Sequence, residues 1–204
     1  MKPPWLVLGP RDGEALRLRP PSRSGNVTIK VDRKTVGSPL LAMGHQRLGP
    51  GASIPVHRHE HQDEIIFVHA GRGAAVFDGR RVPLRPRSTI FVRRGIWHGV
   101  DNTGAEDMHL VWTISPPGLE DMFRDISVRK GGRPVPMTRD EFAALVRRHR
   151  MHVRPDGPRR GAAGRPRQAG AGRSARRPAA SRAARRRPRR RTLRSPRPSS
   201  ARRG

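Results

Sequence analysis

The chain has 204 residues, enough for one ordinary domain, and no cysteine, which excludes disulfides, thiolate catalysis and cysteine metal sites together. Its 44 Lys+Arg against 16 Asp+Glu give a formal net charge of +28, but 19 Arg and a single acid, Asp156, fall between Val153 and Gly204, so the basic character belongs mostly to a tail. No stretch approaches the roughly 18–20 apolar residues of a membrane span, and the N-terminus has no apolar run of signal-peptide length, so a cytoplasmic protein with no membrane partner is expected.

Residues 1–24 read as an N-terminal segment. From residue 25 the pattern turns to short runs rich in β-branched and large apolar residues: Val27–Val31, Leu40–His45, Ile65–His69, Ala74–Phe77, Thr89–Val92 and His109–Ile114. Turn signals separate them at Gly49-Pro50-Gly51, Gly71-Arg72-Gly73, Asp78-Gly79 and Asn102-Thr103-Gly104. Asp78-Gly79 predicts a two-residue hairpin joining Ala74–Phe77 to Arg81–Leu84. Many short strands without intervening helices predict an all-β sandwich or barrel over residues 25–116.

Residues 117–152 predict two short helices packed on the barrel. One spans Gly118 to Ile126. The other starts at the capping box Thr138-Arg-Asp-Glu141 and places Phe142, Leu145 and Val146 on one face. In residues 153–204 only Val153 and Leu193 are apolar side chains larger than Ala, too few to offset the entropy of ordering, and a disordered Arg-rich tail is expected. Such a tail would bind polyanions by counterion release without stacking aromatics, so non-specifically. Its replacement of every Lys by Arg among Ala, Gly, Pro and Ser is equally what GC-rich codons read without selection produce, as after a frameshift.

The chemistry concentrates in Gly51-Ala-Ser-Ile-Pro-Val-His57-Arg-His59-Glu-His61-Gln-Asp-Glu64. His57 and His59 are two apart, which on a strand puts both imidazoles on one face with Cα atoms about 6.6–6.8 Å apart. Glu64 has the opposite strand parity, and a polar turn through Glu60–Asp63 would restore it to that face. His98 follows a glycine turn after Thr89–Val92. Three His and one Glu form a mixed N/O set for one divalent ion, Fe(II), Mn(II), Zn(II), Ni(II) or Cu(II), with coordination positions left open for a ligand.

The segment from Gly51 to Gly71 resembles the first cupin motif: Gly51, His57, His59, Glu64 and Gly71 meet every fixed position. The second cupin motif is matched by Gly95, His98 and Asn102, while Arg87 and Arg93 stand where Gly and Pro are expected. The resemblance covers roughly residues 25–115 and extends to small single-domain bacterial cupins. It implies a double-stranded β-helix (jelly-roll) barrel, an interior metal held by His57, His59, Glu64 and His98, a small-molecule ligand and a homodimer. It does not imply a reaction.

Around the ligand set, His61 reads as a solvent-facing turn residue, an extra ligand or a proton-transfer group, Trp97 as lining the pocket mouth or packing in the barrel wall, and Arg93 with Arg94 as anchors for an anionic substrate or solvated turn residues. His69 has the parity to face away from the metal. There is no tyrosine, so no tyrosine acid or base is available. Three functions follow: metal-assisted oxygenation or isomerisation of a small organic anion, ligand binding without turnover, or nucleic-acid association through the tail.

Overall fold

The computed structural model describes residues 5–22, 25–37 and 40–154. In chain order they form β1 (Glu14–Leu18), β2 (Asn26–Val31), α1 (Arg33–Val36), β3 (Ala42–Leu48), β4 (Ser53–His59), β5 (Asp63–Ala70), β6 (Gly73–Phe77), β7 (Arg80–Leu84), β8 (Thr89–Val92), β9 (His98–Asn102), β10 (Met108–Ser115), α2 (Leu119–Asp125), β11 (Ser127–Arg129), α3 (Arg139–Arg148) and β12 (Met151–Val153). No helix among them is long and apolar enough to cross a membrane. The Arg-rich segment from residue 155 onward lies outside the described residues.

The strands form two antiparallel sheets, one ordered β11-β1-β2-β3-β10-β5-β8 and the other β12-β4-β9-β6-β7. Alternation is clearest in β3, β5 and β10, where every second residue is buried. The inward residues of both sheets meet in two clusters. Leu48, Ile66, Val68 and Leu110 of the larger sheet pack with Ala75, Leu84 and Val100 of the smaller one. The second cluster joins Leu16, Val27, Trp112 and Ile114 to Leu119, Met122 and Phe123 of α2 and Val146 of α3. The fold is therefore the all-β double-layered barrel that the strand pattern implies.

Every strand read from the sequence is present, and several boundaries move: Ala42–Leu48 stands where Leu40–His45 was expected. The Asp78-Gly79 hairpin forms with φ of 45° and 85°, the positive pair a type I′ turn requires. Thr138 caps α3 by accepting from the Glu141 amide at 3.0 Å. The sequence reading did not name β1, β9, β11 and β12. β1 falls within residues 1–24 and pairs with β2, while β11 and β12 extend the two sheets. At three to five residues, these strands are too short to show a period. The helices also do more than lie against the barrel, since Leu119, Met122, Phe123 and Phe142 line the cavity described below.

Candidate metal centre

The two sheets meet at the four predicted side chains. His57 and His59 lie on β4, His98 opens β9, and Glu64 is the second residue of β5 in the opposite sheet. His57 and His98 are register partners across the β4–β9 ladder, with ring centroids 4.2 Å apart. The chain between β4 and β5 turns at residues 60–62, which brings Glu64 to the interior. All four side chains are buried. One ligand atom from each lies within 4.8 Å of the other three.

Backbone carbonyls orient two of the imidazoles. His57 Nδ1–H donates to Pro55 O at 2.8 Å and His98 Nδ1–H to Ile96 O at 2.9 Å, since a carbonyl can only accept. Their Nε2 atoms are thereby turned inward as ligands, the arrangement that fixes tautomer and ring plane in histidine metal sites. His57 Nε2 stands 3.2 Å from His59 Nε2, His98 Nε2 2.9 Å from Glu64 Oε2, and His59 Nε2 3.4 Å from the same carboxylate oxygen.

Two donors each about 2.1 Å from one ion, and 90–110° apart around it, lie about 3.0–3.4 Å from each other. The three separations above are close to those edges and the whole set lies within 4.8 Å, so small side-chain adjustments would let the donors share a single divalent ion. The electrostatics agree. Burial, reinforced by His98 and His59, pushes the His57 imidazole well below its usual value, so it stays neutral and able to ligate. Burial acts to raise the Glu64 carboxyl, but its contacts with His59 and His98 outweigh this and hold it far below the usual carboxylate range.

A cavity of about 50 Å³ adjoins His57, Glu64 and His98. Its wall is mainly apolar, built by Trp112, Met122, Phe123, Phe142 and Met151 among others, and includes no Lys or Arg among the described residues. Trp112 is buried, and its Nε1 has no hydrogen-bond partner among the described residues. Sequence reasoning missed Trp112. The signal was its inward position in the alternation of β10.

His61, Arg93 and Trp97 do not line this cavity. His61 is exposed, its Nε2 3.1 Å from Arg150 Nη1. Arg93 is exposed, and Arg94 is tied to Asp63 by its backbone amide and guanidinium at 2.9–3.1 Å. Trp97 lines a separate cleft of about 740 Å³, with the Arg154 and Arg58 guanidinium carbons 4.4 and 5.0 Å from its ring centroid. His69 lies in a groove on the outer face of the larger sheet with His45 and His109. Asn102, the last fixed residue of the second motif, donates to Leu48 O and Glu106 O and accepts from the Gly104 amide, so it fixes the turn after β9.

Three buried histidines on one sheet and a buried glutamate on the other, with ligand atoms within 4.8 Å of one another, make this two-sheet antiparallel barrel one with a candidate metal centre. Residues 44–114 match the family model for the cupin domain, and the chain belongs to the cupin family. It is 32% identical over 84 residues to the oxalate-binding protein of Thermotoga maritima, covering 41% of this chain and 69% of that protein. It is 31% identical over 94 residues to the tetracenomycin polyketide synthase protein TcmJ of Streptomyces glaucescens, covering 46% of this chain and 63%, under two thirds, of that relative's length. Among solved structures, a cupin 2 conserved barrel domain protein from Salinispora arenicola aligns with 24% identity and a TM-score of 0.43 over 53% of this chain and 87% of that one.

Proposed function

We propose that His57, His59, Glu64 and His98 hold one divalent metal ion, and that the barrel binds a small organic molecule beside it. The convergence of four buried donor atoms within 4.8 Å carries this reading. The metal, when bound, supplies Lewis-acid polarisation of a ligand oxygen or, if redox-active, reactivity toward dioxygen. The chain's own residues orient the imidazoles through Pro55 and Ile96 and line the cavity with an apolar wall that keeps bulk water out.

Between the two reactions considered, the wall favours oxygenation. Isomerisation moves a proton and needs a base at the substrate. The titratable side chains at the cavity, among the described residues, are His57, Glu64 and His98, which this reading assigns to the metal. The same observation supports a second reading, ligand binding without turnover. The two relatives named above bear on the ligand only through what they are called, oxalate-binding protein and polyketide synthase protein, and those names point to different sizes of molecule.

Elemental analysis of the full chain purified without an affinity metal tests the centre, with about one ion per chain expected. A product assay on ligands that raise the melting temperature separates the two readings. Turnover lost with chelator and restored by one metal supports the enzyme, and thermal shift without product supports the binder. The homodimer belongs to this proposal and is read from the mass in solution. Polyanion binding by residues 153–204 also belongs here and is read by deleting that segment.

A further inference from the structure

The 740 Å³ cleft has a size typical of small-molecule sites and is far wider than the 50 Å³ cavity at the candidate ligands, which alone has room for only a small ligand group. The two are neighbours: Ser22, Pro55, Phe142 and Met151 line both. Phe142 and Met151 come from α3 and β12, so the C-terminal unit forms the partition between the wide cleft and the metal side of the barrel.

One face of α3 forms a wall of the cleft. Arg139, Ala143 and Arg147 recur every four residues, with Val146 beside them. Arg139 and Arg147 are exposed and form no ion pair among the described residues. A third cation, Arg154, lies over the Trp97 ring at 4.4 Å and 3.5 Å from Asp78 Oδ1, an exposed pair that a bound carboxylate would share or displace. Among the described residues the wall contains one acid, Asp140. Proline, valine, alanine, Met151, Trp97 and Phe142 supply most of the rest of the surface, with Ser22, Ser53 and His152 among them. An apolar floor with three arginines around it suits a flat apolar body carrying a negative charge.

We propose that this cleft is the binding site for an aromatic small molecule bearing a single carboxylate, with the anion on Arg139, Arg147 and Arg154 and the ring against Phe142 and Trp97. Its reach past Phe142 and Met151 to the metal rests on the metal reading above. Binding in the cleft does not.

Calorimetry on the full chain with 2-naphthoate, and with 2-naphthamide as the uncharged analogue, tests this. One naphthoate per chain is expected, bound about tenfold more tightly than the amide, a difference of about 1.4 kcal/mol. The Arg139→Ala/Arg147→Ala double variant should weaken naphthoate several-fold and leave the amide unchanged, with an unaltered melting curve showing that the fold is intact. Equal binding of the two probes overturns the proposal, as does no binding of naphthoate at about 1 mM. An unchanged double variant places the anion on other arginines and also overturns it. The measurement is repeated after EDTA treatment. Binding kept without metal supports the cleft whatever elemental analysis says of the centre, and binding lost with the metal places the ligand at the metal residues instead.

Discussion

His57 Nε2 lies 3.2 Å from His59 Nε2, with both rings buried and set edge to face. His57 already donates its other ring hydrogen to Pro55. The pair therefore aims at one shared point, where Glu64 and His98 also arrive. Removing one imidazole leaves three donors and a hole. His57→Ala is expected to lower metal content from about one ion per chain to a small fraction after dialysis, a loss of at least 10–100-fold in affinity. Elemental analysis and the loss of metal-dependent thermal stabilisation check this. Full occupancy in the variant would remove His57 from the ligand set.

Trp112 reaches the cavity wall because its register partner on β3 is Gly44. A Cβ at that position would come within 2.4 Å of Trp112 Cζ2 and 2.4 Å of Thr28 O. The backbone oxygen cannot move aside, and the indole can move only by leaving its place in the cluster with Phe123. Gly44→Ala is expected to cost about 3 kcal/mol. Denaturant unfolding measures the cost, and a shift in tryptophan emission should accompany it. A variant as stable as the parent would show the indole to be loosely held.

Much of this was legible in the sequence. The spacing of His57 and His59, the polar residues before Glu64 and the glycine before His98 mark the ligands because strand parity and turn chemistry are local properties. The alternation of β3, β5 and β10 marks the larger sheet for the same reason. The walls of the cavity were not legible. Met122, Phe142 and Met151 reach it from elements whose own patterns say only that one face is apolar, and which face meets the barrel mouth is decided by packing over long sequence separations. Trp97 shows the limit well. Its neighbour His98 faces inward on β9, whereas Trp97 precedes the strand and turns toward Arg154 and Arg58.

Arg87 stands where the second motif expects glycine, and the backbone keeps the glycine-like conformation, with φ of 73°. Ser88 N donates to Arg85 O at 3.0 Å, closing a turn with Pro86 and Arg87 at its centre. A positive φ at the third position is the type II pattern, where a side chain costs about 1–2 kcal/mol. The flexibility of glycine in the unfolded chain offsets part of this, so Arg87→Gly is expected to stabilise the protein by about 0.5–1 kcal/mol. A calorimetric melting point raised by about 1–3 °C would agree, and a lowered one would show that the Arg87 side chain holds contacts of greater value.

Asp32 ties the N-terminal strands to α2. It is fully buried, caps α1 through Thr35, and pairs with Arg124, which also holds Glu14 and Asp121 at 2.7 Å. Burial acts to raise the Asp32 carboxyl, but its bonds to Arg124 and Thr35 outweigh that and hold it below the ordinary 3.8. The folded state therefore binds this proton less readily than the unfolded chain. The stabilisation is complete well above about pH 4, where both states are ionised, and is lost as pH falls through the lower folded value. Asp32→Asn should cost about 1.5–3 kcal/mol near neutrality, the range of a hydrogen bond to a charged group, because it leaves Arg124 with Glu14 and Asp121. Urea titrations at pH 7 and pH 3 check both points: the gap between parent and variant should narrow at the lower pH, and a gap independent of pH would mean that the carboxylate charge plays no part.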